Sequence, residues 1–493
     1  MRPVPEPGDE ILPDDHGLVL APDTHVCDDG RTLMGGSGTV LHLSGSAAAV
    51  VARLPLVASD SDATRVLGRR LLDRGLADPW WPDPPVADAE VRDVTLVVPV
   101  RDRAAGLARL LAAVPATVPV VVVDDGSLDH AGVAAVAAAH GATLERHRTS
   151  RGPAAARNTG LARARTAHVA FCDSDVVPDP GWLGTLRRHL DDPAVALAAP
   201  RVLGAASAPT GWLERYEQAR SSLDLGPRPA SVRVHGRVSY VPSACVVARV
   251  AALGDGFDPD LQCGEDVDLV WRLLDAGWRL RYEPAATVRH DHRTRWTEWL
   301  GRKAFYGTSA APLAARHPGA VAPLVLTPWT AALAVSVLAQ RRWSLPLGGA
   351  ACVLATLGTA RRLERSERPL RAAAVLTLEG AVATAWQTAS ALERHYWPLA
   401  LAAAAVSRRA RRAVVVAAVA EGLADRRRVT TDLGPVAYVL VHRADDLAYG
   451  AGLWWGAWTG RSVAALVPQL RGHEALVRLL RRPWTRRAAP TRR

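Results

Sequence analysis

The stretch Val169-Ala-Phe-Cys-Asp-Ser-Asp-Val-Val-Pro178 decides the fold of the central part of the chain. Its apolar first half predicts a buried strand that ends in the acidic turn Asp173-Ser174-Asp175. Because side chains alternate along a strand, the two carboxylates point the same way. Paired carboxylates are the hard oxygen ligands that Mg²⁺ and Mn²⁺ prefer, although a solvated turn has the same composition. The neighbouring segments decide between these two interpretations.

Upstream of this turn, apolar strands alternate with helices. Strands are predicted over 94–100, 118–123 and 143–146, and helices over 104–114, 132–140 and 154–164. Continuous apolar strands separated by helices predict a parallel sheet that is buried on both faces. Ligands bind such sheets at the carboxyl ends of the strands. Both acidic clusters, Asp124-Asp125 and Asp173-Ser174-Asp175, fall at such ends.

The positive charge is concentrated in the C-terminal part. Residues 1–300 hold 32 basic and 39 acidic groups, whereas residues 301–493 hold 28 basic and 10 acidic groups. A basic region of this kind faces either nucleic acid or an anionic membrane. Its basic residues alternate with apolar runs and show no aromatic–basic recognition motif, which favours a membrane over nucleic acid. The five cysteines form no CxxC pair, so neither a disulfide framework nor a zinc site is indicated.

The N-terminal part predicts a small separate module. Residues 1–16 are rich in proline and acidic residues, which predicts a disordered lead without the apolar core of a signal peptide. Residues 17–78 predict a winged-helix-like unit, with short strands followed by helices over 47–54 and 62–74. Its net charge is too low for a DNA reader. Residues 79–90 predict a linker to the central unit, residues 91–300.

Residues 301–493 predict a basic helical region with candidate transmembrane segments. Residues 320–340 carry no charge and are long enough to span a bilayer, and further apolar segments cover 343–360 and 372–392. The arginines that flank the first two segments fit a cytoplasmic location for those flanks. The high alanine content makes every segment weakly hydrophobic, so a soluble helical cap on the central unit is the alternative.

Five motifs of the central unit occur in the order found in the family 2 glycosyltransferases, and the unit resembles that family. They are Val97-Val-Pro-Val-Arg-Asp102, Val120-Val-Val-Val-Asp-Asp-Gly-Ser127, Arg151-Gly-Pro-Ala-Ala-Ala-Arg-Asn158, Phe171-Cys-Asp-Ser-Asp175 and Gly264-Glu-Asp-Val-Asp-Leu269. The resemblance implies an α/β GT-A fold with a mixed, mostly parallel sheet. It also implies the activity of a glycosyltransferase that moves hexose units.

The resemblance assigns one group of residues to a UDP-sugar donor: Pro99, Arg101, Asp124, Asp125, Arg157, Asn158, Asp173 and Ser174. Carboxylates at a strand end can accept hydrogen bonds from uracil and ribose. The Gly152-Pro153 helix start offers free backbone N–H groups to a diphosphate. Structural roles compete with this assignment, because the aspartate pair could cap a helix and Arg157 could form a surface ion pair.

The resemblance further implies a divalent cation, Mn²⁺ or Mg²⁺, held by Asp173 and Asp175. Such an ion offsets the charge that develops on the leaving diphosphate. His290 matches the Val-x-His pattern of some GT-A enzymes and is the third expected ligand, with His292 as the alternative. A solvated histidine in a charged turn is the competing interpretation.

The pair Glu265-Asp266 opens a predicted amphipathic helix. Acids in a first helical turn often only complement the helix dipole. In the family, however, this pair is the catalytic site, and Asp266 matches the general base that activates the acceptor hydroxyl. Single displacement would invert the anomeric carbon and give a β-glycoside. Trp271-Arg272 departs from the Gln-x-x-Arg-Trp helix of processive relatives, which argues against long polymerisation.

The N-terminal module resembles PqqD-like peptide-recognition domains in residues 41–54 and 71–76. Such modules bind ribosomal peptides by strand addition. A PqqD-like head, a family 2 core and a basic apolar tail together resemble the glycosyltransferases of mycofactocin biosynthesis. That resemblance implies a peptide-derived redox cofactor precursor as acceptor and β-linked glucose as product.

These observations predict an enzyme at the cell membrane with its catalytic domain in the cytoplasm; a peripheral cytoplasmic protein is the alternative. Its expected partners are a UDP-sugar, a peptide-derived acceptor and the membrane, without nucleic acid. One competing function is transfer to a lipid or cell-envelope glycan, which the membrane-like tail favours. A peptide-binding scaffold with an inactive core is the non-enzymatic alternative, and it would predict loss of the acidic residues that the sequence retains.

Overall fold

The computed structural model describes residues 11–36, 38–57, 61–205, 211–292, 295–364 and 366–472. Most of the predicted disordered lead, residues 1–10, lies outside the described residues, as does the end of the basic region, residues 473–493.

The N-terminal module contains two small antiparallel sheets and two helices. Its elements are β1 (Gly17–Leu20), β2 (His25–Cys27), β3 (Thr32–Met34), β4 (Val40–His42), α1 (Gly45–Val51), β5 (Leu56–Val57), α2 (Asp62–Asp73) and β6 (Ala77–Trp80). One sheet has the order β5-β1-β6 and the other the order β2-β3-β4. The start of the predicted linker was wrong, because Pro79 and Trp80 pair with β1. Pro79 is tolerated there because β6 is an edge strand.

The central unit is one large sheet between helices. Its elements are β7 (Val94–Val100), α3 (Ala104–Ala112), β8 (Val120–Asp125), α4 (His130–Ala139), β9 (Thr143–His147), α5 (Pro153–Arg163), β10 (His168–Cys172), β11 (Val176–Pro178), α6 (Trp182–His189), β12 (Val195–Gly204), α7 (Trp212–Arg220), β13 (Ala230–Ser231), β14 (Cys245–Arg249), α8 (Val250–Leu253), α9 (Glu265–Asp275) and β15 (Arg279–His290). The strand order is β11-β15-β12-β14-β10-β7-β8-β9, and β13 pairs with β15.

The sheet is mixed, as predicted, but it is not mostly parallel. Strands β10, β7, β8 and β9 are parallel neighbours, as are β12 and β15. The pairings of β14 with β10 and β12, and of β15 with β11 and β13, are antiparallel. The first half of the unit alternates strands and helices, which produces parallel crossovers, whereas the second half lacks that regular alternation.

The prediction that both faces of the sheet are buried is confirmed along β7. Leu96 and Val98 pack into one apolar cluster and Val97 packs into the other, on opposite sides of the sheet. Because β10, β7 and β8 run parallel, their carboxyl ends meet at one edge. This arrangement places Pro99, Asp125 and Asp173 at the same edge.

The C-terminal region is helical, but among the described residues no helix is long and apolar enough to cross a membrane. Its elements are α10 (Trp296–Thr308), α11 (Ala310–Arg316), β16 (Val325–Leu326), α12 (Pro328–Ala339), α13 (Ser344–Arg362), α14 (Pro369–Arg394), α15 (Trp397–Val406), α16 (Arg408–Arg426), α17 (Pro435–Thr459) and β17 (Gln469–Leu470). The predicted span 320–340 fails because residues 320–327 form turns and the short strand β16, and only α12 is helical. The segments at 343–360 and 372–392 are helical but rich in Ala, Gly and Thr, which lowers their hydropathy.

Glycines bring α17 against α10. A Cβ atom on Gly452 would lie 1.7 Å from the carbonyl oxygen of Ala304, and one on Gly307 would lie 2.1 Å from that of Tyr449. Only glycine allows two helix backbones to approach this closely. The contact fixes α17 beside α10.

Candidate active site

A cleft of about 870 Å³ opens at the carboxyl ends of β7, β8 and β10. Ten of the residues singled out in the sequence line it: Pro99, Arg101, Asp125, Arg157, Asp173, Ser174, Asp175, Glu265, Asp266 and His290. Asp124 and Asn158 lie behind its wall. The structure therefore brings the five motifs together around one cavity.

Asp125 organises the loop that follows β9. Its carboxylate accepts hydrogen bonds from the backbone N–H groups of Arg151 (2.8 Å) and Gly152 (2.9 Å) and from Ser150 Oγ (2.7 Å). His147 Nδ1 lies 2.6 Å from the same carboxylate. Burial opposes ionisation of Asp125, but these hydrogen bonds outweigh it and lower the pKa. Asp125 is thus a fixed anion at the cleft wall.

Asp124 and Asn158 stabilise the wall from behind. Asp124 is fully buried, and its Oδ1 accepts a hydrogen bond from the backbone N–H of Ser127 (2.9 Å) across the turn at Gly126. Asn158 donates to the carbonyl of Phe257 (2.6 Å) and accepts from the N–H of the same residue (2.8 Å). These contacts stabilise the turn after β8 and the loop that contains Phe257.

Arg157 links the two ends of the cleft. Its Nη2 lies 2.6 Å from Asp173 Oδ1 and its Nη1 lies 2.9 Å from Glu265 Oε1. The guanidinium is buried and lies over the ring of Phe257. The surface ion pair considered for Arg157 was therefore wrong, because both of its acidic partners line the cleft. Arg157 holds the acid at the end of β10 at a fixed distance from the start of α9.

Asp266 is presented at the start of α9 by Gly264, whose φ of +82° is a left-handed conformation that favours glycine. The Asp266 carboxylate accepts hydrogen bonds from the backbone N–H groups of Ser243 (3.2 Å) and Val267 (2.8 Å). Burial raises the pKa of Asp266, and the charge of Arg157 only partly offsets this effect. A carboxylate with a raised pKa is a better proton acceptor.

Asp173 and Glu265 share this electrostatic environment. Burial is the main cause that raises the pKa of each carboxyl group. Nearby acids add to the effect, with Asp175 acting on Asp173 and Asp266 acting on Glu265. A cation placed among these acids would therefore relieve a repulsion that Arg157 only partly offsets.

Strand pairing brings Asp175 beside His290. The backbone N–H of Asp291 donates to the carbonyl of Asp175, and β11 continues the antiparallel pairing with β15. His290 Nε2 consequently lies 3.7 Å from Asp175 Oδ2, whereas His290 Nδ1 is buried and has no hydrogen-bond partner among the described residues. Two carboxylates and an imidazole are a donor set that fits Mn²⁺, and Mg²⁺ through the carboxylates. Arg103 also reaches Asp175, at 3.1 Å.

His292, the alternative ligand, faces away from Asp175. Its Nδ1 lies 3.8 Å from Glu217 Oε2, and its ring packs against Gly204. The cleft's lining includes His290 but not His292. The geometry therefore favours His290 as the third ligand.

The C-terminal helices supply one wall of the cleft, which the sequence did not indicate. Arg302, Lys303, Phe305 and Tyr306 of α10 line it with Arg394 of α14 and Tyr449 of α17. The basic and aromatic side chains of this helix come from the run Arg302-Lys-Ala-Phe-Tyr306. Arg302 lies over the rings of Phe305 and Tyr306, and Arg394 lies 3.9 Å from the ring centre of Tyr449.

Known proteins resemble this chain both in its central unit and over nearly its full length. The glycosyl transferase family 2 model matches residues 95–252. Two pre-mycofactocin glycosyltransferases of Mycobacterium tuberculosis (strains CDC 1551 / Oshkosh and ATCC 25618 / H37Rv) are 46% identical over 476 residues, 93% of this chain and 99% of theirs. The succinoglycan biosynthesis protein ExoU of Rhizobium meliloti (strain 1021) is 30% identical over 205 residues, 38% of this chain and 59% of that protein.

A solved structure, the mannosyltransferase of Pyrobaculum calidifontis in complex with GDP-Man and Mn²⁺, aligns with a TM-score of 0.36 at 20% identity. It covers 62% of this chain and 90% of that one. The match to the two mycobacterial enzymes extends over nearly the whole of both chains. The chain therefore belongs to the family 2 glycosyltransferases.

Proposed function

We propose that this glycosyltransferase transfers glucose from UDP-glucose to the precursor of mycofactocin with inversion at the anomeric carbon, forming a β-glycoside. The observation that carries the proposal is the 46% identity to pre-mycofactocin glycosyltransferases, which extends over nearly the full length of the chain. It fits a site in which a half-buried carboxylate with a raised pKa, Asp266, lines the same cleft as a second acidic cluster.

The donor is assigned to the edge formed by β7, β8 and β10. Pro99, Arg101 and Asp125 border the nucleotide end, and the start of α5 at Gly152 and Pro153 borders the same cavity. Arg101, Arg151 and Arg157 are the cations on this side of the cleft, and a diphosphate needs such a positive field. The Arg157 guanidinium is held between Asp173 and Glu265 and contributes its positive charge from this fixed position.

A divalent cation is assigned to Asp173, Asp175 and His290. When bound, it would act as a Lewis acid on the leaving diphosphate. Arg103 forms an ion pair with Asp175, and Arg157 forms one with Asp173. The position of His290 Nε2, 3.7 Å from Asp175 Oδ2, supports the assignment because it brings an imidazole donor beside the two carboxylates.

Asp266 is the proposed general base. Hydrogen bonds from Ser243 and Val267 orient its carboxylate, and burial keeps it basic. It would remove the proton from the acceptor hydroxyl as the oxygen attacks the anomeric carbon and the bond to the leaving diphosphate breaks. Glu265 is held by Arg157 and positions the start of α9.

The acceptor is assigned to the wall built by α10, α14 and α17. Tyr240 lines the cleft half-buried near Asp266, Tyr449 and Arg394, and desolvation raises the pKa of its hydroxyl, which stays protonated. Tyrosines, Phe305 and planar guanidinium groups make a surface on which an aromatic or sugar ring can stack. This composition suits a peptide-derived acceptor with a ring near its hydroxyl.

The test uses the purified full-length enzyme with Mn²⁺ and three donors: UDP-glucose, UDP-galactose and GDP-mannose. Each donor is offered with the mycofactocin precursor or with a membrane lipid extract, and products are identified by mass spectrometry and by the anomeric coupling in proton NMR spectra. The proposal predicts a β-glucoside of the precursor from UDP-glucose alone. Product only with the lipid extract, or an α-linked product, would overturn it.

A further inference from the structure

Helices α12 to α15 have an unusual distribution of large and small residues. Every buried residue of these four helices is small, as follows: Thr330, Ala334, Ser336, Gly348, Ala351, Ala373, Thr377, Thr384, Thr388, Ala391, Ala400 and Ala404. Most of their large apolar residues are exposed instead, and the others are half-buried: Trp329, Leu333, Leu376, Trp386, Leu392 and Trp397. We call the following set the apolar helical surface: Val335, Val337, Leu338, Leu345, Leu347, Val353, Leu354, Leu357, Leu370, Val375, Leu378, Val382, Leu399, Leu401 and Val406.

This distribution is the reverse of that in a water-soluble helical bundle. In water, Leu and Val are among the residues most often buried, and their burial stabilises the fold. Here Leu345 is 89% exposed, Leu354 69% and Leu378 67%. In contrast, helices packed in a lipid environment contact one another through Gly, Ala, Ser and Thr and turn larger apolar residues outward. The four helices follow the lipid pattern.

The buried hydroxyl groups also fit that pattern. Thr377, Thr384 and Thr388 donate hydrogen bonds to backbone carbonyls one turn earlier in α14, at 2.7–2.8 Å. Thr356 of α13 donates to Thr377 across the helix contact at 3.1 Å. Because these hydroxyl groups have hydrogen-bond partners within and between the helices, they need no water. Helices in contact with lipid have the same requirement, since the lipid offers no hydrogen-bond partners.

Charge complementarity identifies the kind of surface that would cover these residues. Residues 341–412 contain twelve arginines and four glutamates, a net charge of +8. Exposed arginines lie at the ends of α13, at the start of α14 and at the start of α16: Arg341, Arg342, Arg361, Arg362, Arg368, Arg371, Arg408, Arg409, Arg411 and Arg412. Exposed apolar side chains with arginines at the helix ends match an anionic lipid surface, in which apolar groups enter the acyl region and arginines meet phosphates.

We propose that the apolar helical surface docks on an anionic lipid bilayer, with its helices in the interface of one leaflet. Among the described residues no helix is long and apolar enough to cross the bilayer, and Glu379 is exposed among the apolar residues of α14. Both features fit helices that lie at the headgroup boundary. The inference rests on the C-terminal helices alone and holds whatever the acceptor is.

Docking would set the position of the active site relative to the membrane. Helix α14 carries Leu370, Val375, Leu378 and Val382 on its exposed side and ends at Arg394, which lines the cleft. One rigid helix therefore connects the lipid-facing surface to the acceptor wall. The enzyme would work at the membrane surface, with its cleft at a fixed distance from the bilayer.

The test is flotation of the full-length protein with vesicles of phosphatidylcholine alone or mixed with phosphatidylglycerol. We expect flotation with the anionic vesicles, weakened by salt because exposed charges are screened. The triple variant Leu345→Glu, Leu354→Glu, Leu378→Glu should lower the bound fraction at least tenfold. The matched control is Leu128→Glu, which changes a 91% exposed leucine of the catalytic unit and should bind as the wild type does.

A second variant tests the charge contribution. Replacing Arg408, Arg409, Arg411 and Arg412 by glutamine should remove the preference for anionic vesicles. Absence of flotation with either vesicle, or equal flotation of the wild type and the triple glutamate variant, would overturn the proposal. A wild-type dimer in analytical ultracentrifugation that the triple variant converts to monomer, without vesicle binding, would also overturn it and assign the surface to a second copy of the chain.

Discussion

Arg157 and Glu265, which are 108 residues apart in the chain, form a buried ion pair with 2.9 Å between Nη1 and Oε1. The other arm of the same guanidinium holds Asp173. One side chain of α5 therefore joins the end of β10 to the start of α9, which carries the proposed base. The relative position of the donor and acceptor sides depends on this arginine.

Replacing Arg157 should separate structure from catalysis. Arg157→Met leaves two buried acids without their cation, and truncation of a buried ion pair costs about 3–5 kcal/mol. Arg157→Lys keeps the charge but loses the planar fork that reaches both partners, so it should retain most stability and still lose activity. Urea unfolding and initial rates measure the two effects. The control Arg163→Met, at an exposed position of the same helix, should change stability by about 0–1 kcal/mol.

The metal assignment predicts different effects for two neighbouring histidines. His290→Ala should raise the Mn²⁺ concentration needed for half-maximal activity by at least about tenfold, since even outer-shell changes cost 10–100-fold in metal affinity. His292→Gln should leave that concentration unchanged, because His292 faces Glu217. Mn²⁺ titrations of activity and calorimetric titrations measure both variants. Equal dependence of the two variants on Mn²⁺ would contradict the assignment.

The environment of Asp266 predicts the acidic side of the pH profile. Burial raises the pKa of this carboxyl, so it is protonated at pH values where an ordinary aspartate is already ionised. A protonated Asp266 cannot accept the acceptor's proton, and kcat/KM should fall on the acidic side with an apparent pKa above the ordinary aspartate value of about 3.9. An acid limb at or below that value would contradict the proposed role.

The N-terminal module is tied to the catalytic unit by a buried ion pair between Arg69 and Asp192, with 2.6 Å between Nη1 and Oδ2. Burial opposes ionisation of Asp192, but Arg69 outweighs it and lowers the pKa. Arg69→Met should cost about 3–5 kcal/mol at neutral pH. Because the folded-state pKa is lowered, the contribution is present above about 3.9 and is lost as the pH falls through the folded-state pKa.

Thermal or urea unfolding across pH measures the effect of Arg69→Met. Arg70→Met, one residue further along α2 and exposed, is the control and should differ little from wild type. A constant stability difference between wild type and Arg69→Met down to strongly acidic pH would contradict the role assigned to Asp192.

The sequence predicted those parts of the site that depend on local pattern. The acids after β8 and β10 could be placed because apolar runs define strands and parallel strands share a carboxyl edge. The antiparallel half of the sheet was not predictable in this way. Nothing local in residues 195–204 specifies that β12 pairs with both β14 and β15.

The acceptor wall was missed for a related reason. Arg302, Arg394 and Tyr449 come from three helices of a region whose composition indicated membrane spans. Their convergence depends on close backbone contacts at Gly307, Gly450 and Gly452, which a hydropathy pattern does not register. The apolar content of α12 to α14 was correctly noticed, but only the structure shows that small residues are inside and large ones outside.

The most direct test of the proposed mechanism is transfer of radiolabelled glucose from UDP-glucose to the mycofactocin precursor by wild type, Asp266→Asn and Asp260→Asn. Asp260 is an exposed acid in the loop before α9 and serves as the matched control. The account predicts that Asp266→Asn loses about 10²–10⁴-fold in rate, the usual contribution of a general base, while Asp260→Asn retains wild-type activity. Transfer by Asp266→Asn at the wild-type rate would contradict the account.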